Sequence, residues 1–173
     1  KHGERVLVVE GISNKRLKDV SLTLHAGETL GVAGMVGSGR TELARAIFGA
    51  DAVSSGRILL NGKPLTKASP AQAIESGVAL VPEDRKAQGL FTALPIRQNV
   101  TLPILKRLSR YGVLKRGQEE QVVEAARGKL SISMASADQE AQYLSGGNQQ
   151  KVVLAKWLET QPSVIIMDEP TRG

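Results

Sequence analysis

Short runs of alternating or clustered apolar residues fill the first half of this chain, and helical spacing dominates much of the second. Arg5-Val6-Leu7-Val8-Val9-Glu10 predicts an opening strand, and Asp19-Val20-Ser21-Leu22-Thr23-Leu24 alternates as a half-buried strand does. The apolar run Thr29-Leu30-Gly31-Val32-Ala33 predicts a buried strand, and residues 42–48 carry Leu43, Ala44 and Ile47 at helical spacing. Gly56-Arg57-Ile58-Leu59-Leu60 reads as a strand entering a hairpin-like turn at Asn61-Gly62. Residues 69–77 predict a short helix with Ser69 as its N-cap, Pro70 in the first turn and Gly77 as its stop. Val78-Ala79-Leu80-Val81 follows as a buried strand ended by Pro82, and residues 83–89 form a charged connector. From about Leu90 to Tyr143 the pattern is helical, with Val122, Val123, Ala126 and Leu130 on one face. Residues 147–159 predict another helix, and Ser163-Val164-Ile165-Ile166-Met167 a last strand. The order implies an α/β fold, with a small antiparallel sheet beside the main one.

Composition narrows the classes. A chain of 173 residues with 41% hydrophobic content suits one domain with its own core. It has no cysteine, which excludes disulfides and cysteine-based zinc sites, and no apolar run long enough to span a bilayer. The net charge of +6 suits anionic partners, whether nucleotide phosphates, lipid or nucleic acid. Aromatic content of 3% weakens base stacking as a binding mode. Arg97, Lys106, Arg107, Arg110, Lys115 and Arg116 make the helical segment basic, which a solvated face explains.

Three stretches carry chemistry. Gly34-Met35-Val36-Gly37-Ser38-Gly39-Arg40-Thr41 fits the phosphate-binding pattern G-x-x-x-x-G-K-[ST] except that Arg40 replaces the lysine. Its glycines let backbone N–H groups converge on one small volume, and the following helix adds its positive end, which suits a nucleotide di- or triphosphate. Asp168 and Glu169 close an apolar strand, where a carboxylate can hold Mg²⁺ and its neighbour can orient water. Leu144-Ser145-Gly146-Gly147-Asn148 opens a helix with several free N–H groups, a second anion site. Taken singly, each also fits a plain structural role: a glycine turn, a strand end, an N-cap.

Together, and in this order, the motifs resemble the nucleotide-binding domain of ATP-binding cassette (ABC) transporters over nearly the whole chain. Residues 34–41 look like Walker A, 144–148 like the LSGGQ signature, 164–169 like Walker B, and 82–86 fall where the Q-loop would be. The runs Gly-Arg-Thr-Glu-Leu at 39–43, Glu-Asp-Arg-Lys at 83–86, Leu-Ser-Gly-Gly-Asn-Gln-Gln-Lys at 144–151 and Asp-Glu-Pro-Thr-Arg-Gly at 168–173 resemble one subgroup. It is the second, C-terminal half of the tandem ATPase subunit of bacterial ribose/galactose/xylose-type sugar importers.

The resemblance implies a P-loop NTPase core with a RecA-like, mostly parallel sheet and a small antiparallel β subdomain. The core would span residues 1–89 and 147–173, and an inserted helical subdomain bearing the signature would span 90–146. ATP and Mg²⁺ are the implied cofactors. Gly34, Gly37, Ser38, Gly39, Arg40, Thr41 and Glu42 would bind nucleotide, with Thr41 and Asp168 on the metal side and Glu169 polarising the attacking water. Leu144, Ser145, Gly146, Gly147 and Asn148 would face an ATP held by the partner half. The implied partners are that other half, a membrane permease and, indirectly, a periplasmic sugar-binding protein, at the cytoplasmic face of the bacterial inner membrane. Nucleic acid is not an expected partner.

Four departures stand out. Arg40 is bulkier and planar where the family has lysine, Glu83 replaces the Q-loop glutamine, no aromatic lies near Ser13-Asn14-Lys15 to stack on adenine, and Asn148 replaces the signature glutamine. The resemblance also implies a helix, a strand and a switch histidine after residue 173; His2 and His25 lie upstream of the glycine loop, so a fragment is expected. The alternatives are a soluble ABC ATPase acting on ribosomes or nucleic acid, and a regulatory half that binds nucleotide without hydrolysing it.

Overall fold

The computed structural model describes residues 3–65 and 69–169. Pro170, Thr171, Arg172 and Gly173, with which the last subgroup run ends, and His2 lie outside the described residues. The chain forms two compact units, one of residues 1–80 with 162–168 and one of 81–161 with 169–173.

In the first unit, β1 (Arg5–Ser13), β2 (Val20–His25), β3 (Ser55–Leu60) and β4 (Lys63–Pro64) make an antiparallel sheet in the order β2-β1-β3-β4. Leu7 and Val9 alternate inward along β1, but the next buried residue is Ile12, one position out of phase. A register shift between Val9 and Ile12 resolves this, since one extra residue in a bulge turns the following side chain back to the core. Gly56 crosses that bulge so closely that a Cβ would stand 2.5 Å from the Glu10 carbonyl oxygen; no larger residue fits. Helix α1 (Arg40–Ile47) buries Leu43, Ala44, Ala46 and Ile47. Helix α2 (Pro70–Ser76) has the predicted ends: Ser69 Oγ accepts the Gln72 N–H at 3.3 Å, and Gly77 stops the helix at φ 96°. β5 (Val78–Val81), buried throughout, pairs with β8 (Val164–Met167).

Residues 29–33 correct the expectation of a buried strand. Apolar composition alone does not make one, because a strand needs a ladder partner for its N–H and C=O groups. Among the described residues none is paired with this stretch, and Leu30 and Val32 are 42% and 50% exposed.

The second unit is helical. Residues 83–89, expected as a connector, include a one-turn π-helix at Arg85–Gly89, because Asp84 Oδ1 accepts the N–H groups of Lys86 and Ala87 at 3.0 Å each. Helices α3 (Ile96–Thr101), α4 (Leu105–Leu108), α5 (Arg116–Leu130) and α6 (Gly146–Leu158) follow, interrupted by a hairpin of β6 (Ser109–Arg110) and β7 (Val113–Leu114) that periodicity did not reveal. Polar cross-links organise the unit. Asn99, 1% exposed, accepts the Phe91 N–H at 2.8 Å and donates to the carbonyls of Phe91, Leu94 and Pro95, holding that loop. Glu119, also 1% exposed, accepts from Arg97 Nη1 at 3.0 Å and Thr101 Oγ1 at 2.9 Å, so its buried charge is paired. The hydrogen bond from Arg97 to Asp138, with a smaller contribution from Glu119, raises the guanidinium pKa against the effect of burial.

Candidate functional site

The glycine loop of the first unit opens α1. Gly37 and Gly39 have φ of 82° and 95°, a left-handed region that side chains disfavour. At Gly34 a Cβ would stand 3.1 Å from Ser38 Cβ and closer still to its Oγ, and 3.7 Å from Arg40 Cδ. The loop is therefore a tight cradle that an added methyl group would fill, with the Arg40 stem running back across it. The Ser38 N–H donates to the Met35 carbonyl at 3.1 Å and the Leu43 N–H to that of Gly39 at 2.8 Å. No side chain caps α1. Among the described residues no acceptor meets the N–H groups of Gly37, Gly39 or Thr41, which suits an anion at the positive end of the helix.

The loop rests on Leu17, 4% exposed, whose Cδ2 would be 3.3 Å from a Cβ at Gly39. Leu17 is set by an Asx turn: Asn14 Oδ1 accepts the N–H groups of Arg16 and Leu17 at 2.9 and 2.8 Å. Arg16 in turn pairs with Glu42 in the first turn of α1 at 2.6 Å. Asp168, half-buried, follows β8 in the same unit. Thr41 and Asp168, which belong to the same unit, offer a hydroxyl and a carboxylate oxygen. Among the described residues no cluster of three or more acidic or histidine side chains could hold a metal alone. Such a sparse set fits Mg²⁺, which keeps waters and takes its other oxygens from substrate phosphates.

The second unit holds the other candidate, at the start of α6. Ser145 caps α6: its Oγ accepts the Asn148 N–H at 3.5 Å and Asn148 Nδ2 at 3.0 Å. Asn148 Oδ1 accepts the Ser133 N–H at 2.8 Å, so the asparagine ties the helix start to the chain after α5. Leu144 is buried at 8% exposure, whereas Ser145 and Gly147 are exposed. Among the described residues no acceptor meets the N–H groups of Gly146 or Gly147.

A narrow cleft in this unit brings Glu83 and Glu169 together with Arg85 and Gln150. Glu169 has φ 48°, which is uncommon for a residue with a side chain; such outliers concentrate at functional positions. Two contacts were not foreseen from sequence. Arg85 Nη2 lies 2.8 Å from where a Gly146 Cβ would be, so its guanidinium packs against the helix start. Lys156, 6% exposed, donates from Nζ to the Gly89 carbonyl and sits 5.0 Å from the Trp157 ring centroid. Burial lowers its pKa from 10.5 to about 8. A cationic residue within the apolar face of a helix was the available signal, at Lys156 between Ala155 and Trp157.

Residues 17–172 match the family described as ABC transporter. The chain belongs to this family. Among curated relatives, the ribose import ATP-binding protein RbsA of Jannaschia sp. (strain CCS1) is 54% identical over 99% of this chain and 33% of its own length. A putative ribose/galactose/methyl galactoside import ATP-binding protein of Rhizobium meliloti (strain 1021) is 48% identical over 99% of this chain and 34% of its own. The chain thus spans about a third of the length of the curated relatives it matches. Among solved structures, cbiO1 from Clostridium perfringens, part of the ABC transporter complex cbiONQ, superposes with a TM-score of 0.76 at 26% identity, covering 98% of this chain and 67% of that one. A nucleotide-free ATP-binding cassette from an ABC transporter gives 0.78 at 22% identity over 96% and 70%, which supports the P-loop NTPase fold.

Proposed function

We propose that this chain is one ATP-binding half, the C-terminal one, of a tandem ATPase that powers import of a ribose- or galactose-type sugar across the bacterial inner membrane. The observation that carries this reading is the pair of separate helix starts at which the N–H groups of Gly37, Gly39 and Thr41, and of Gly146 and Gly147, meet no acceptor among the described residues. Two such sites in one chain suit an enzyme whose halves meet head to tail, each offering one site to its own ATP and one to its partner's. The names of the relatives support sugar import over ribosome or nucleic-acid work.

In this reading Gly34, Gly37, Ser38, Gly39, Arg40 and Thr41 hold phosphate oxygens through backbone N–H groups and the arginine, with Glu42 beside them. Thr41 and Asp168 hold Mg²⁺, which neutralises phosphate charge when bound. Glu169 orients water and Glu83 stands at the Q-loop position. Ser145, Gly146 and Gly147 face the partner half's phosphates, with Leu144 and Asn148 anchoring them. A membrane permease and a periplasmic sugar-binding protein complete the assembly, with this subunit peripheral on the cytoplasmic face. No described helix is long and apolar enough to cross a membrane.

Arg40 makes the two sites unequal. A planar guanidinium does not occupy a lysine's place unchanged, so this half binds nucleotide at its own loop, turns it over slowly, and mainly completes the partner's site. The test is ATPase activity of the full-length subunit. Ser145→Trp should abolish it, whereas Arg40→Ala should lower it less; the reverse ranking overturns the assignment of roles.

A further inference from the structure

The β6–β7 hairpin of the second unit has no part in the site above. Its turn residues, Tyr111 and Gly112, have φ of 53° and 79°, the pattern of a two-residue hairpin turn that favours asparagine or glycine first. A tyrosine there is strained, and the fold does not use its ring: Tyr111 is 91% exposed. The ring contact it makes is with its neighbour Arg110, whose guanidinium lies 5.3 Å from the ring centroid. Arg110 pairs with Val113 and Ser109 with Leu114, so each pair shares a face. Ser109 and Leu114 are half-buried; Arg110 and Val113 face outward, Val113 at 69% exposure.

The sequence on both sides of the hairpin is rich in cations. Lys106, Arg107, Lys115 and Arg116 are all exposed, and residues 102–118 contain no carboxylate. Arg107 is turned toward Glu159, at 3.4 Å. Pattern alone assigns these charges to a solvated face, but the hairpin sets an aromatic ring and a valine at the tip among them. Single-stranded nucleic acid would use a row of stacking rings rather than one. A tyrosine and an aliphatic tip ringed by arginine and lysine match a bilayer interface, where the ring sits at headgroup level and the cations meet phosphates.

We propose that the β6–β7 hairpin is a contact for anionic lipid headgroups, with Arg110, Lys115 and Arg116 on phosphates and Tyr111 and Val113 pressed among the headgroups. It goes beyond the transport reading and does not depend on which site turns ATP over. The test is co-sedimentation of the full-length protein with phosphatidylcholine vesicles, with and without phosphatidylglycerol. The wild type should partition onto the anionic vesicles, and less at high salt. Arg110→Glu with Lys115→Glu should weaken partitioning about tenfold or more. Tyr111→Ser, which leaves the charge unchanged, should weaken it a few-fold. Lys18→Glu with Lys129→Glu makes the same change in net charge on exposed residues elsewhere, and should matter far less. Equal losses in the two charge-reversed pairs, or an unaffected Tyr111→Ser, overturn the proposal. So does failure of the wild type to prefer anionic vesicles.

Discussion

The two glycine-opened helices, α1 and α6, solve the same problem in opposite ways. Both begin with N–H groups that meet no acceptor among the described residues. Helix α6 is braced by its own unit: Ser145 caps it, Asn148 links it to Ser133, and Leu144 is buried before it. Helix α1 starts from a glycine without a side-chain cap, and the chain before it is exposed, with Met35 at 85% and Val36 at 98%. One helix start is thus pre-formed by side chains, whereas the other depends on left-handed glycines. Preorganisation fits the start of α6 for receiving a phosphate held elsewhere. The loop before α1 fits wrapping around a phosphate of its own.

The contrast extends along the helices and is open to measurement. The largest expected effect concerns Lys156, buried in α6, for which α1 has no counterpart: Arg45 of α1 makes a half-exposed pair with Asp51, and Glu42 is paired by an exposed Arg16 from outside the helix. In the folded chain Lys156 releases its proton near pH 8, in the unfolded chain near 10.5. The unfolded state therefore holds more protons between these values, and stability rises with pH across that window by about 3 kcal/mol. Lys156→Met should flatten the rise in urea-unfolding midpoints; an unchanged rise would mean the amine is not sequestered.

Next in size is Gly39→Val. A β-branched residue at φ 95°, against Leu17, should cost about 2 kcal/mol and weaken nucleotide binding by calorimetry. A stable variant with normal binding would remove the claim that backbone conformation alone builds this site. Asn148→Ala deletes the bonds to Ser145 and Ser133 and should cost about 1 kcal/mol in chemical unfolding. The smallest change has the opposite sign. Nothing lies within 4 Å of a Cβ at Gly147, and its φ is not left-handed. Gly147→Ala should raise the thermal midpoint slightly, by up to about 1 kcal/mol of helix propensity. A loss of stability there would show that the start of α6 is less open than described.

How much was legible beforehand follows from the range of the interactions. The ends of α2 were readable because Ser69, Pro70 and Gly77 act within one turn of the residues they cap. That both glycine motifs open helices was readable for the same reason: glycine and serine at helix starts carry their effect locally. The turn at residues 85–89 follows from Asp84 in hindsight, since its carboxylate caps two N–H groups close by. The β6–β7 hairpin was obscured because Tyr111 occupies a position where glycine or asparagine would have marked the turn. The bulge in β1 was hidden because it depends on which residues β2 and β3 place opposite.

By itself the chain's order of residues determined the two ends of α2, which glycines can bend backward, and where the three candidate motifs lie. These are properties of neighbouring atoms along a backbone. Tertiary structure alone decided that residues 29–33 lack a ladder partner among the described residues, that Arg85 packs on Gly146, and that Lys156 is sealed against Gly89. Each of these depends on groups far apart in sequence, and burial and pairing between such groups exist only once the chain has folded.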